Sequence, residues 1–317
     1  MTDKKPVLIV VFMLFLLLAG FAQPVSADQH IQTYTCSQIV GIPLDECEVL
    51  QILFDSTNGA SWANSDGLWF ETTLPANWHG VTVFDGHVQA IELLANDLNG
   101  TIPSELGNLT ELATLSLYDN QLSGTIPTSL GSLSKLEFLD LGKNQLSGSV
   151  PTELGNLAVL DTLSLEFNQL SGNIPSQLGG LSALIQIYLG SNQLSGSIPT
   201  SFGGLPELII LDVSNNQLTG NIPGQLGNLA NLQTLWLNNN ALDGNIPNSL
   251  ANLTNLAAPG SSGRDGLDLD YNSLLVPWNY PSPGDPLHVF LNQKDTNWHL
   301  RQNSDPLQLV FLPIIVQ

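Results

Sequence analysis

The sequence predicts an α/β solenoid: stacked coils with one strand each facing a shared core, a back of strand or 3₁₀ character, and a helical N-terminal cap. Three observations carry that prediction. An asparagine recurs every 24 residues, at Asn96, Asn120, Asn144, Asn168, Asn192, Asn216 and Asn240. Apolar residues stand eight, five and three positions before each asparagine and two after it, as at Leu112, Leu115, Leu117 and Leu122 around Asn120. A glycine follows four positions after each asparagine and a proline seven after, from Gly100 and Pro103 to Gly244 and Pro247.

Each element has a physical reason. The apolar-x-apolar alternation before the asparagine is a short strand with one face turned inward. A single unit cannot bury that face alone, so units stack and share one continuous core. Their strands then pair in parallel, about 4.8 Å apart. The asparagine amide carries two donors and an acceptor, enough to satisfy turn backbone groups of its own coil and the adjacent one. Glycine opens backbone conformations closed to other residues. Proline withholds an N–H from any ladder, which makes the back of each coil strand-like or 3₁₀-like rather than α-helical.

From Leu112 to Pro127 the chain reads LATLSLYDNQLSGTIP. This run resembles the plant-type leucine-rich repeat, whose pattern is L-x-x-L-x-L-x-x-N-x-L-x-G-x-I-P, and the likeness extends over residues 88–256. The resemblance implies a right-handed, twisted solenoid with its parallel sheet on the concave side. It also implies binding rather than catalysis, because receptor ectodomains and polygalacturonase inhibitors of plants share the repeat. The kinase and the clear stop-transfer segment of those receptors are not found in this sequence.

The seven regular units are numbered here as coils 1 to 7 by their asparagines. A degenerate eighth follows at Leu267-Asp268-Leu269-Asp270-Tyr271-Asn272. Asn272 lies 32 residues after Asn240, so eight residues are inserted within 258–265, and Arg264 stands where a leucine is expected. Terminal repeats depart from the pattern because they cover the end of the core. Beyond it, VPWNYPSPGDP reads as a turn region, and Asp285-Pro286 as the start of a short helix carrying Leu287, Phe290 and Leu291, with Trp298 packed nearby.

At the other end, Asp45 reads as the N-cap of a helix carrying Cys47, Leu50, Leu53 and Phe54, ended by Asn58-Gly59. Trp62, Trp69 and Trp78 lead on to Trp78-His79-Gly80-Val81-Thr82. That stretch is similar to the W-x-G-V-x-C of plant-type caps, with Val83 in place of the cysteine. The usual cap pairing therefore cannot form, which favours a local bond between the two cysteines, Cys36 and Cys47.

Lys4 and Lys5 precede an apolar run, Pro6 to Ala22, and Val25-Ser26-Ala27 offers a small-residue cleavage site. This is the pattern of an export signal cut after Ala27. The alternative is an uncleaved anchor, since the run is just long enough to span a bilayer. With the leader cut, no stable membrane span is expected, and the protein is secreted or held at the cell surface or envelope. Export makes the disulfide chemically reasonable. The expected organisation is leader 1–27, N-terminal cap 28–87, solenoid 88–275, C-terminal cap 276–303 and tail 304–317. Within the tail, Val310 to Ile315 resembles tails of exported proteins from some filamentous bacteria.

Hydrophobic residues make up 43% and charged residues 11%, which excludes both a disordered chain and a membrane bundle. Seven Lys+Arg against 28 Asp+Glu leave a net charge of −21, a field that repels nucleic acid and anionic lipid. No nucleophile elbow, phosphate loop, zinc motif or dinucleotide fingerprint is present, so no enzyme, cofactor or metal is expected. Asp268-x-Asp270-x-Asn272 begins like a calcium loop but fails at Ser273 and Asn279. His30, His79, His87, His288 and His299 all lie outside the ordinary repeats and read as solvated or packing residues.

Strand alternation names the outward residues four, two and one positions before each asparagine. Among them Tyr118, Asp119, Asp140, Glu166, Phe167, Tyr188, Asp212 and Trp236 form the expected binding set, and Asn96 to Asn240 with Asn272 form a structural ladder. Aromatic rings supply rigid contact area, while carboxylates select a cationic partner. The expected partner is therefore a protein or peptide. Two alternatives stand beside it: carbohydrate stacked on Tyr188 and Trp236, or a spacer without a ligand. Against all three stands the bland reading, in which aromatics reflect sheet propensity and acids keep the surface soluble.

Overall fold

The computed structural model describes residues 34–64, 69–257, 266–274 and 286–294. The expected leader and tail lie outside those residues, as do the insertion with Arg264, the turn region with Asp285, Trp298, His30, His299 and the side chain of His288.

Each regular coil contributes a strand to each of two sheets. The larger has nine strands in the order β1 (Val81–Phe84), β2 (His87–Glu92), Thr114–Ser116, Phe138–Asp140, Thr162–Ser164, Gln186–Tyr188, Ile210–Asp212, Thr234–Trp236 and Leu267–Asp268. β1 is antiparallel to β2, and the later neighbours run parallel, with Leu115 opposite Leu139 and Leu139 opposite Leu163. This is the expected concave sheet. A side sheet of seven parallel strands runs from Asn99–Thr101 to Ala241–Asp243. Strand and 3₁₀ structure both occur on the back of a coil, in succession. The proline ends the side strand, and a 3₁₀ turn follows it, as at Thr128–Ser132 after Pro127.

The stack buries what one coil cannot. In coil 2, Leu112, Leu115, Leu117, Leu122, Ile126, Leu130 and Leu133 are all buried. Each such side chain contributes roughly 1.5–3 kcal/mol relative to exposure. The asparagines tie the coils together. Asn144 Nδ2 donates to Leu117 O of the previous coil at 2.9 Å and to Leu141 O and Gly142 O of its own at 3.1 Å, while its Oδ1 accepts from Leu122 N at 3.0 Å. The same set recurs at Asn168, Asn192, Asn216, Asn240 and, in the degenerate coil, Asn272. Asn96 opens the ladder by accepting from Asn64 N of the cap at 2.6 Å. The residue before each ladder asparagine is left-handed in all eight coils, with φ between 49° at Ala95 and 56° at Asp119.

The N-terminal cap holds α1 (Leu44–Ser56), with Cys47, Leu50 and Leu53 buried. Asp45 is not its N-cap. Pro43 takes that place, and Asp45 and Glu46 sit in the first turn, where carboxylates complement the helix dipole. The Cys36–Cys47 disulfide ties the 3₁₀ turn Cys36–Gln38 to this helix. Trp62, Trp69 and Trp78 join Phe54 and Phe70 in one aromatic cluster, with Trp69 stacked on Trp78 at 5.3 Å between ring centres. At the far end, α2 (Pro286–Lys294) buries Leu287, Phe290 and Leu291 and packs on the last 3₁₀ turn, Asn248–Asn252. Among the described residues no helix is long and apolar enough to cross a membrane.

Candidate functional site

The register of the concave sheet sorts its outward side chains into lanes that cross the strands. Asp140, Ser164, Tyr188, Asp212 and Trp236 form one lane, each opposite the next. Phe138, Thr162, Gln186, Ile210 and Thr234 form the lane beside it. The ladder hydrogen bonds define a third along the strand entrances, where Asp161 N donates to Glu137 O, Ile185 N to Asp161 O, Ile209 N to Ile185 O and Gln233 N to Ile209 O, all at 2.8 Å.

Within the first lane Asp140 is held as a carboxylate acceptor. Its Oδ1 takes Gly142 N at 3.0 Å and Ser164 Oγ at 2.7 Å. Burial nevertheless pushes its pKa above the usual carboxylate value, the two hydrogen bonds opposing that rise. Tyr188 is pushed up to about 12, first by burial and then by the Glu166 and Asp212 carboxylates. Burial and the charge of Glu166 raise Tyr118 as well. Burial is the main cause of both shifts, and the nearby carboxylates add to it in the same direction. Lys143 offsets them locally, its Nζ donating to Asp119 Oδ2 at 2.7 Å, which holds the lysine above its usual value.

The expected binding residues do not all reach the surface alike. Phe167 is 50% exposed, and it is left-handed at φ 54°, a conformation unfavourable for a bulky side chain. Tyr118, Asp119, Asp140, Glu166, Tyr188 and Trp236 are half-buried. Asp212 is only 3% exposed, with Ser214 N donating to its Oδ1 at 2.8 Å. It points away from the core yet is covered by neighbours on the sheet, so the expectation of an open contact residue is corrected there. Ser116, Ser164, Ser214 and Asp270 are buried in the same way. Tyr188 and Trp236 share a lane two strands apart, whereas Tyr118 leans over Gly142, where an added Cβ would meet its ring at 3.0 Å.

Counting only positions close to the asparagine missed Phe138, Ile185, Ile209 and Ile210, all half-buried. The signal was readable, because the matching positions of other coils hold Ala113, Thr114, Thr162, Gln233 and Thr234. A second omission is electrostatic. Buried Glu46 on α1 accepts from Val88 N at 2.8 Å and pairs with His87 Nδ1 at 2.6 Å, which bolts the cap helix to β2. That bond, helped by the charges of Glu46, Glu111 and Asp85, raises the pKa of His87. Among the described residues no group of three or more potential metal ligands comes together.

Residues 110–170 and 158–218 match the family model described as Leucine rich repeat, and 231–253 match a second model of that description. Among curated protein sequences no match was found. Similar solved structures include PEPR1–AtPEP1, 32% identical with a TM-score of 0.64, covering 74% of this chain and 36% of that one. The LRR ectodomain of the Arabidopsis receptor kinase HAESA, in complex with an N-terminal extended IDA peptide hormone ligand, is 35% identical with a TM-score of 0.63 and coverages of 74% and 38%. A plant ice-binding protein is 26% identical with a TM-score of 0.54 and coverages of 74% and 81%. This chain thus spans less than two fifths of the length of the first two.

Proposed function

Because the coils are leucine-rich repeats, we propose that this chain is an exported recognition module that binds a protein or peptide with cationic character through its concave sheet. The observation that carries the proposal is the in-register lane Asp140–Ser164–Tyr188–Asp212–Trp236, which sets the half-buried Asp140 carboxylate and the Tyr188 and Trp236 rings on one face. The likeness to a peptide-bound ectodomain over 74% of the chain supports the same reading. Export rests on Lys4, Lys5, the apolar run to Ala22 and the small residues up to Ala27. The test is to recover extracellular partners with the wild type and with a Tyr188→Ala/Trp236→Ala double variant that melts at the same temperature. Polypeptides retained by the wild type and lost by the double variant are expected. Unchanged recovery would defeat the concave-sheet assignment, and retention of glycans instead would favour a carbohydrate partner.

A second reading has its own observation. The five side-sheet strands between Gln121 and Asn221 contain no charged residue, in a chain of net charge −21. A neutral face of repeated hydroxyls and amides, with the likeness to a plant ice-binding protein, supports adsorption to ice. Ice crystals that coarsen in its presence as fast as in buffer would dismiss it.

A further inference from the structure

The entrance lane of the concave face changes character along the stack, whereas the lane beside it has an apolar residue at each end of the same stretch, Phe138 in coil 3 and Ile210 in coil 6. In coils 3 and 4 the entrance lane carries Glu137 and Asp161, and the central lane adds Asp140. In coils 5 and 6 the entrance lane changes to Ile185 and Ile209, and the lane beside it carries Ile210. The change occurs between adjacent strands, since Ile185 N donates directly to Asp161 O at 2.8 Å. Flanking coils hold Ala113 and Gln233 in the entrance lane, and Thr114 and Thr234 beside it. The fold therefore accepts small or polar residues at these positions and does not require half-buried isoleucines there. Each of these aliphatic side chains keeps apolar area in water, an unfavourable arrangement that a bound partner would relieve.

Charge is distributed to match. Glu137, Asp140 and Asp161 make no ion pair with any described residue. The lysines of coils 2 and 3, Lys135 and Lys143, are already engaged by Glu111 and Asp119. Both edges of every central strand are occupied by neighbouring strands, so a partner cannot add to the sheet as another strand. It has to lie across the strands instead.

We infer that the concave sheet receives an extended peptide lying across coils 3 to 6, with a basic side chain over Glu137, Asp140 and Asp161 and an apolar side chain over Ile185, Ile209 and Ile210. The inference rests on the concave-sheet reading above and adds the chemistry and order of the ligand. Asp161 and Ile209 are two strand steps apart, about 10 Å, and an extended chain advances about 3.4 Å per residue. The basic and apolar residues of the peptide therefore stand two to four positions apart. The order of the two side chains follows the order of the coils, whichever way the peptide chain runs.

The probe is a phage-displayed library of random linear peptides, panned on the full chain at two salt concentrations. Peptides with Lys or Arg and an aliphatic or aromatic residue two to four positions apart are expected to dominate, and to bind more weakly at high salt. An Asp140→Asn/Asp161→Asn variant should bind them about tenfold or more weakly. An Ile209→Ala/Ile210→Thr variant, which places residues that those two lanes carry in other coils, should do the same while keeping the salt dependence. An Asp161→Lys variant should switch selection toward acidic residues, which mere structural damage would not do. Two results overturn the inference: enrichment without this pair, or pair-bearing peptides unaffected by both double variants. If Tyr188→Ala/Trp236→Ala still abolishes capture in either case, the concave-sheet reading stands and only this inference falls. A library that yields no peptide dependent on any of these residues sinks both.

Discussion

The concave and side sheets share one period and one core, yet they differ in what faces outward. The side sheet is nearly uniform: Gln121, Gln145, Gln169, Gln193 and Gln217 repeat, as do Ser123, Ser147, Ser171 and Ser195. The serines have a local reason to repeat. Ser123, Ser147 and Ser171 donate to the glycine carbonyl of the coil before, at 3.1, 3.3 and 3.4 Å. The concave lanes change from coil to coil, passing through acids, isoleucines, tyrosine and tryptophan. Backbone pairing there is the same whatever the side chain. Repetition thus marks what the coil needs, and variation marks where the fold leaves the choice open for a ligand.

The strongest way to break that comparison is to remove a residue both sheets depend on. Asn168→Leu leaves Leu146 N, at the start of the side sheet, without the Oδ1 it donates to at 2.9 Å. It also withdraws donors from Leu141 O, Leu165 O and Glu166 O at the end of the concave strands. A buried unsatisfied group costs about 1–3 kcal/mol, so the expected loss is about 3 kcal/mol or more, read by chemical denaturation. A loss below about 1 kcal/mol would mean that the ladder does not join the sheets.

A smaller effect sharpens the contrast from the side sheet alone. Gly172 has φ 76°, and a Cβ there meets nothing closer than Ser149 Cβ at 3.8 Å. Gly172→Ala therefore adds only the left-handed backbone penalty, about 1–2 kcal/mol. Stability should fall by that amount while peptide capture on the concave sheet stays unchanged. A change in capture would show that the two faces are coupled.

How much of this was readable in advance depends on distance along the chain. The ladder, the strands, the glycines and the switch to 3₁₀ turns after each proline all follow from the 24-residue frame, because each rests on residues within one coil and its neighbour. The Glu46–His87 pair joins residues 41 apart across the cap boundary, and no local pattern announces it. The helix is capped at Pro43 rather than Asp45 because a proline at that point sacrifices no useful N–H. Alternation sets Asp212 between the core residues Leu211 and Val213. It could not give its exposure, which depends on side chains of adjacent strands rather than on its own.

The subtlest prediction concerns Asp140, where the two faces should differ in sign. Burial raises its folded pKa, so the folded state disfavours the ionised carboxylate that neutral pH imposes. A raised carboxylate pKa means that stability is reduced above the folded value and recovers as pH falls through it toward the unfolded value. An asparagine side chain at this position would keep an acceptor for Gly142 N and Ser164 Oγ, the two bonds Oδ1 now makes, without the buried charge. Asp140→Asn should therefore melt slightly higher than the wild type at pH 7, with the gap closing as the buffer is taken down through the carboxylate range. The same variant should hold basic peptides less tightly at pH 7. A side-sheet residue selected for the coil has no reason to trade stability against binding. If Asp140→Asn is less stable at neutral pH, or if it binds basic peptides as well as before, Asp140 belongs with the residues the coil needs rather than with those that read a ligand.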